Sequence, residues 1–299
     1  MKFNMIFTLC FIASMIGLFN LMGPSFIQAL TNTPIHLNRE WSLPMVKQGD
    51  WSEVARPFDV KEGEEAKSVA VLMYHRILAD EDIEPWHYDE KGRLYDTIVR
   101  REAFEEQMDY LATQGYVTLN LKEFKQFING ELDIPEKSVL ITFDDGFKDN
   151  YTVAYPILKR HDFFASIFLI TGLVASGDAL YLSEDDIIAG ADVFEYQSHT
   201  DALHEQTETG TPYLLTHDQR EVESDLLTSI NKLDGRKRAF AYPYGVYDQA
   251  NLTALDNVGI DLAFTVVYKK ADQEVNRLEI PRMGVYPDDG IEEFILKLK

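Results

Sequence analysis

Two adjacent carboxylates, Asp144 and Asp145, stand where an apolar run gives way to a glycine turn at Gly146. Successive side chains of a β-strand point to opposite faces, so both acids can share one environment only after the chain has left the strand. Two like charges this close repel, and a folded chain offsets that repulsion with a cation, a proton or a hydrogen-bond network. One acid could therefore bind a metal ion while the other transfers protons. A solvated Asp-Asp-Gly turn is the alternative.

Histidines also follow predicted strands: His75 comes after residues 69–74, and His199 and His204 come after residues 192–197. On a helix, a spacing of five residues would turn the second ring about 140° from the first, but a tight loop at a strand end could bring the rings together. With one Asp they would form a two-His, one-carboxylate set that leaves positions open for water and substrate on zinc or another divalent metal. Taken alone, this pair is also compatible with a surface loop.

After residue 67, short apolar runs alternate with amphipathic stretches, which predicts repeated strand–helix units. The predicted strands lie near residues 69–74, 116–119, 138–143, 164–170, 192–197, 238–242 and 261–267. The predicted helices lie near residues 101–114, 121–129, 149–161, 183–189, 216–233 and 247–257. This alternation predicts an α/β fold, a parallel sheet closed into a (β/α)7-type barrel in a single catalytic domain. Active sites of such barrels lie at the carboxyl ends of the strands, where the acids and histidines fall.

The N-terminal segment is apolar over residues 5–22 and follows a single basic residue, Lys2. As a helix it would be about 27 Å long, near the lower limit for spanning a bilayer. We therefore expect residues 1–30 to be a signal peptide or a membrane anchor, residues 31–67 a partly ordered lead-in, and residues 68–299 the catalytic domain. The expected location is extracellular, secreted or anchored at the outer face of the cell membrane, with any membrane association made through residues 5–22.

Charge and cysteine content exclude several classes of partner and site. The chain has 50 acidic and 28 basic residues, a net charge of −22, and residues 1–30 hold one Lys and no acid, so the remainder carries −23. Such a surface repels nucleic acid and anionic lipid, so we expect neither as a partner. We also expect the chain to be monomeric. The single cysteine, Cys10, lies in the apolar segment, so the exported part has no disulfide, thiolate ligand or cysteine nucleophile.

Three segments together resemble the motifs of a known family. Thr142-Phe143-Asp144-Asp145-Gly146, then Ser198-His199-Thr200 with His204, then Tyr242-Pro243-Tyr244-Gly245 are similar to the main motifs of the polysaccharide deacetylases, also called the NodB-homology or carbohydrate esterase 4 family. The resemblance covers roughly residues 68–290. It implies a distorted (β/α) barrel and metal-assisted hydrolysis of an N- or O-acetyl group on a sugar polymer.

The resemblance also implies roles for individual residues. Asp144 matches the general base of the family, and Tyr244 matches the residue whose backbone N–H helps to hold the oxyanion. Asp145, His199 and His204 match the ligands of a divalent metal, for which zinc is the expected ion. These roles agree with the chemistry, since a metal polarises the acetyl carbonyl and a carboxylate accepts the proton of the attacking water.

The general acid departs from the common family pattern, which places a histidine near the C-terminus, because no histidine follows His217. The segment Val71-Leu72-Met73-Tyr74-His75-Arg76 instead resembles the N-terminal motif of the biofilm poly-β-1,6-N-acetylglucosamine deacetylases, in which that histidine is the acid. The resemblance therefore implies that His75 is the acid and that N-acetylglucosamine in a β-1,6-linked polymer is the substrate. A structural histidine at a strand end is the alternative.

Three questions stay open at the level of sequence. Arg282 could orient the base by a charge-assisted hydrogen bond or lie on the surface, and Arg238 is displaced from the position of the arginine that usually begins the third motif. Trp86, His87 and Tyr95, in an insertion after the first strand, could contact sugar rings or a membrane surface, or could pack locally. The substrate could also be peptidoglycan, chitin or acetylated xylan, and the chain could be a non-catalytic carbohydrate-binding protein on the same scaffold.

Overall fold

The computed structural model describes residues 50–299. The predicted signal or anchor at residues 1–30 and the first part of the lead-in lie outside these residues. Within residues 50–299 no helix is long and apolar enough to cross a membrane; the apolar segment 5–22 lies outside the range searched.

The described part of the chain alternates strands and helices. The strands are β1 (Ser68–Tyr74), β2 (Arg76–Leu78), β3 (Ile98–Arg100), β4 (Val117–Thr118), β5 (Ser138–Phe143), β6 (Ala165–Leu169), β7 (Phe194–Ser198), β8 (Ala239–Ala241), β9 (Leu262–Phe264), β10 (Ala271–Asp272) and β11 (Met283–Gly284). The helices are α1 (Arg101–Thr113), α2 (Leu121–Ile128), α3 (Tyr155–Arg160), α4 (Thr171–Ser176), α5 (Glu184–Ala189), α6 (Gln219–Lys232), α7 (Gln249–Val258) and α8 (Ile291–Leu298).

The main sheet is curled and almost wholly parallel, in the order β10-β1-β5-β6-β7-β8-β9, with β10 as the antiparallel member. Strand β11 pairs in parallel with β1, and Ile280, just before it, forms a parallel bridge with Phe264 in β9. Residues 280–284 therefore fill the space between β9 and β1 and complete the curl of the sheet. This single domain of (β/α)-barrel type confirms the predicted fold class.

The seven predicted strands are all present, and none extends more than one residue beyond its predicted range. The predicted helix at 149–161 is wrong in its first part, because residues Asn150–Ala154 form a π-helical turn before α3 begins. The sequence prediction also missed the small parallel pair β2–β3, the two-residue strands β10 and β11, and helices α4 and α8. Strands this short carry too few residues to show a periodicity.

The core explains the apolar strands. All six residues of β5 are buried, since one face of a barrel strand fills the interior and the other packs against helices. Phe264 packs against Phe168 and Phe124, with ring centroids 5.4 Å and 5.9 Å apart. Burial of side chains of this size contributes about 1.5–3 kcal/mol each. This packing fixes the strand ends that carry the polar groups.

The described part of the lead-in packs on the amino end of the barrel. The Trp51 ring stacks on Phe164 at 4.3 Å, and its indole N–H donates to the carbonyl of Ala191 at 3.2 Å. The Arg56 guanidinium donates to both carboxylate oxygens of Glu123 at 2.7 Å. These contacts hold residues 51–56 away from the carboxyl ends of the strands.

Candidate metal and acid–base site

The residues singled out in the sequence come together at the carboxyl ends of neighbouring strands. His75 follows β1, Asp144 and Asp145 follow β5, His199 follows β7, and Tyr244 follows β8. In a parallel barrel these ends open on one face, which is where loops can place reactive groups on a rigid frame.

The chain leaves β5 abruptly at the two acids. Asp145 has a φ of 74° and Gly146 a φ of 81°, so the backbone turns through the left-handed region between them, where non-glycine residues are uncommon. A Cβ on Gly146 would lie 2.6 Å from Cδ2 of Leu169, so only glycine fits there. This turn separates the two carboxylates and gives each its own surroundings.

Asp145, His199 and His204 form a compact donor set. Asp145 Oδ1 lies 3.2 Å from Nε2 of His204 and 3.5 Å from Nε2 of His199, and the two nitrogens are 3.1 Å apart. Donor atoms bound about 2.1 Å from a tetrahedral ion lie about 3.4 Å from one another, so the spacing fits zinc geometry. Apart from these nitrogens, the buried Asp145 Oδ1 has no hydrogen-bond partner in the described part of the chain. The set fits a divalent metal.

Local hydrogen bonding prepares His199 as a ligand. Its Nδ1 lies 2.7 Å from the carbonyl of Ala241, a geometry in which Nδ1–H donates and leaves the lone pair on Nε2. Burial, and then the neighbouring His204, lower the pKa of His199 to about 4. Burial by itself would raise the pKa of Asp145, but the three site histidines hold it below its ordinary value. A neutral imidazole and an ionised carboxylate are the ligand forms that a metal requires.

The loop between the two histidines is held from both sides. Thr200 has a φ of 73°, a strained value for a β-branched residue, and this kink brings the rings together despite their spacing of five. On one side, the N–H of Gly172 donates to the carbonyl of Asp201 at 3.0 Å. On the other side, the Asp225 carboxylate accepts from the N–H groups of Asp201 and Ala202, both at 2.8 Å. Asp225 gave no sequence signal, because it lies inside a predicted helix.

Arg282 binds Asp144 through a two-pronged ion pair. Its Nη1 and Nη2 lie 2.7 Å and 2.8 Å from Oδ1 and Oδ2 of Asp144, and its Nε donates to the carbonyl of Thr265 at 2.9 Å. The arginine is fully buried, so the surface alternative is wrong. Burial would raise the pKa of Asp144, but Arg282 and the nearby histidines hold it well below its usual range. Asp144 is therefore an oriented, ionised carboxylate.

His75 and Tyr244 flank the donor set. His75 is half-buried, and it is among the groups that lower the pKa of Asp144 and Asp145. Its carbonyl accepts from Nδ2 of Asn150 at 2.7 Å, so the π-helical turn after the acids fixes the backbone that carries His75. Tyr244 has a φ of 57°, and its ring lies 5.0 Å from the ring of His204.

Other residues considered in the sequence lie apart. Arg238 pairs with Glu53 at 2.7 Å, on the amino side of the barrel, so it does not tether Asp144. In the insertion after β1, His87 is buried against its own turn, whereas Trp86 and Tyr95 are exposed.

Taken together, the barrel, the buried Asp-His-His donor set and the arginine-bound carboxylate define a site of the metal-dependent hydrolase class. Residues 132–263 match the family model described as polysaccharide deacetylase. The chain therefore contains a polysaccharide deacetylase domain, of a family in which metal dependence is general.

Relatives of known name agree with this assignment. The poly-β-1,6-N-acetyl-D-glucosamine N-deacetylase of Staphylococcus epidermidis is 27% identical over 242 residues, which cover 77% of this chain and 83% of that protein. The structure is similar to that of the Streptococcus pyogenes deacetylase PplD in complex with acetate, with a TM-score of 0.69 and 26% identity over 78% of this chain and 98% of the other. IcaB from Ammonifex degensii gives a TM-score of 0.64 and 25% identity over 79% and 99%.

Proposed function

We propose that this protein removes acetyl groups from N-acetylglucosamine units of a β-1,6-linked exopolysaccharide, that zinc is its metal, and that it acts outside the cell in biofilm formation. The observation that carries the reaction is the buried donor set of Asp145, His199 and His204 beside the arginine-bound Asp144. The β-1,6 linkage is supported by the similarity to the staphylococcal enzymes named for that polymer.

The metal would be held by Asp145, His199 and His204, and when bound it supplies polarisation of the acetyl carbonyl and acidification of water. Asp144 accepts the proton of the attacking water, and the Arg282 fork keeps its carboxylate aimed and ionised. The backbone N–H of Tyr244 donates to the developing oxyanion, an interaction of a type worth several kcal/mol. His75 then protonates the leaving amine.

Removal of acetyl groups exposes amines, so the product becomes cationic. The strongly acidic chain, with a net charge of −22, attracts such a product more than the neutral substrate. The proposal predicts that binding to deacetylated polymer weakens as salt is raised, and binding that is insensitive to salt would contradict this part of it.

The test is acetate release from poly-β-1,6-N-acetylglucosamine, measured with and without a chelator. We expect release from the untreated protein, loss of release with chelator, and recovery on addition of zinc. Release from peptidoglycan, chitin or acetylated xylan but not from this polymer would overturn the substrate assignment. Release from none of them, with polymer still bound, would identify a carbohydrate-binding protein.

The acid is tested separately. His75→Ala is expected to lower acetate release about 100-fold or more, the usual contribution of a general acid. The matched control is His161→Ala, since His161 lies at the end of α3 and pairs with Asp109 rather than with the site. Full activity in His75→Ala would show that another group protonates the amine.

A further inference from the structure

Exposed apolar side chains gather beside the site, on the loops that follow β9 and β11. Val266, Val267 and Tyr268 follow β9, Tyr286 follows β11, and the two tyrosines are 57% and 40% exposed. We call these four residues the aromatic platform. A contiguous exposed apolar surface of this kind is typical of a binding site.

The two rings of the aromatic platform are held in place by a buried cation. Lys297, in α8, is only 4% exposed, and its Nζ lies 5.1 Å from the ring centroid of Tyr268 and 5.5 Å from that of Tyr286. The same Nζ lies 3.2 Å from the Tyr268 hydroxyl and 3.1 Å from Oδ2 of Asp289. Because folding has already fixed both rings, a ligand that stacks on them loses little further side-chain entropy.

The aromatic platform adjoins the loop that carries Tyr244 at one end and the end of β1 at the other. At one end, Val266 packs so closely on Gly245 that any Cβ there would overlap it, and Tyr244 is the preceding residue. At the other end, the Tyr286 hydroxyl lies over Gly284, close to the side chain of Met73 near the end of β1.

The middle of the platform is linked to Asp144 through Arg282. The N–H of Arg282 donates to the carbonyl of Val267 at 3.0 Å, and the side chain of Arg282 binds Asp144. The platform therefore lies along the rim of the site, from the loop that carries Tyr244 to the end of β1.

The chemistry of the platform favours a neutral pyranose. The axial C–H groups of a pyranose form an apolar face that packs on an aromatic ring, while its hydroxyls stay in water. The four residues of the platform are uncharged, and the nearby Lys297 ammonium is paired with Asp289 at 3.1 Å, so the surface that a ligand meets is neutral. At this surface a deacetylated unit would lose part of the hydration of its ammonium group, so here it is a poorer ligand than an acetylated unit, even though the chain as a whole attracts cations.

We propose that the aromatic platform binds an acetylated sugar unit of the polymer next to the unit that is being deacetylated. This inference rests on the proposed function for the identity of the polymer. It assigns Tyr268 and Tyr286 to polymer binding and Lys297 to positioning their rings.

The experiment compares Tyr268→Leu with Tyr268→Phe, both placed in an Asp144→Asn background so that no turnover occurs during binding. Affinity for a β-1,6-linked N-acetylglucosamine pentasaccharide is measured by calorimetry. Tyr268→Leu should weaken binding about tenfold, the equivalent of one lost aromatic contact, whereas Tyr268→Phe, which keeps the ring, should bind within about twofold of the parent. Leu227→Ala, at a similarly exposed apolar position on α6, is the control and should bind like the parent.

A second measurement uses the active protein. The KM for the pentasaccharide should rise in Tyr268→Leu at least fivefold more than the KM for a small acetyl ester too short to reach the platform. If the protein with Asp144 intact binds the pentasaccharide but releases no acetate from it, the proposed function is overturned and the platform is retained. Acetate release with equal pentasaccharide affinity in Tyr268→Leu and its parent would overturn the platform alone, and the absence of both binding and release would overturn both.

Discussion

Buried carboxylates lie at both ends of the barrel, and their surroundings differ. At the carboxyl end, Asp144 faces the two-pronged Arg282, and its pKa is held well below its usual range. At the amino end, Glu195 accepts from the N–H of Leu121 at 2.6 Å, while the nearest guanidinium nitrogen of Arg238 is 3.8 Å away. Burial raises the pKa of Glu195 to about 7.

The comparison shows that burial alone does not decide whether a carboxylate is ionised. A carboxylate with two charge-assisted hydrogen bonds from one guanidinium stays ionised when buried, and it can accept a proton from water. A carboxylate with backbone and hydroxyl donors, whose nearest guanidinium is 3.8 Å away, is half protonated near neutral pH, and here it anchors the start of α2. The arginine fork is the difference between the two.

The largest effect is expected at the carboxyl end. Asp144→Asn should reduce acetate release about 1000-fold, since the amide cannot accept the proton of the attacking water. The measurement is steady-state kcat at saturating polymer, with far-UV circular dichroism to show that the barrel is retained. A loss of less than tenfold in a folded protein would show that Asp144 is not the base.

Replacement of Arg282 should have the next largest effect on activity, and it should also lower stability. Arg282→Met leaves the buried Asp144 charge without its partner, and we expect a loss of about 3–5 kcal/mol of unfolding free energy together with most of the activity. Arg282→Lys keeps one positive charge without the fork and should fall between Met and the parent in both urea midpoint and kcat. Equal activity in the Lys variant and the parent would mean that charge, and not orientation, is what Asp144 needs.

The amino end should show a pH effect on stability instead. The folded protein binds a proton at Glu195 up to about pH 7, while the unfolded chain releases it near 4.5. The stability from this group is therefore complete below pH 4.5 and lost as the pH rises through 7, by up to about 3 kcal/mol.

Glu195→Gln keeps the acceptor oxygen and cannot ionise, so it should match the parent at pH 4.5 and exceed it at pH 8. Urea unfolding at the two pH values measures the difference. A gap between variant and parent that does not change with pH would contradict the raised pKa.

The smallest effect concerns turns at the amino end. Asp162 lies in the turn before β6 with a φ of 54°, and Asp tolerates this conformation better than most residues. Asp162→Gly should change the unfolding free energy by less than about 1 kcal/mol, whereas Asp162→Ala should lower it by about 1 kcal/mol. Neither should change kcat. A kcat change in Asp162→Gly would show that amino-end turns influence the site.

The strands and the membership of the donor set could be predicted because residue types and strand ends can be recognised in the local sequence. Six buried residues in β5 leave a readable apolar run, and Asp145 and His199 fall just after strands, with His204 five residues beyond His199. Asp145 lies in the donor set and Asp144 faces Arg282, and their division between metal and base stays a prediction.

The rest could not be predicted, because it depends on contacts between distant segments. The burial of Arg282 depends on its ion pair with Asp144, 138 residues earlier in the chain, and an isolated Ile-Pro-Arg does not reveal that contact. The convergence of His199 and His204 depends on the left-handed Thr200, a conformation that Thr rarely adopts. The lead-in, read as partly ordered from its prolines, packs through single contacts such as Trp51 on Phe164 that leave no periodic pattern.

The segment 280–284 has a consequence for the order of events during synthesis. Asp144 is made first, but its cationic partner is made only when residue 282 emerges, together with the strand that completes the curl of the sheet. Bringing together segments so far apart is slow, because the entropy lost in closing the long loop is not offset until the contact forms. A chain interrupted before residue 282 lacks the arginine that binds Asp144, so this carboxylate gains its two-pronged partner only after that residue has been made.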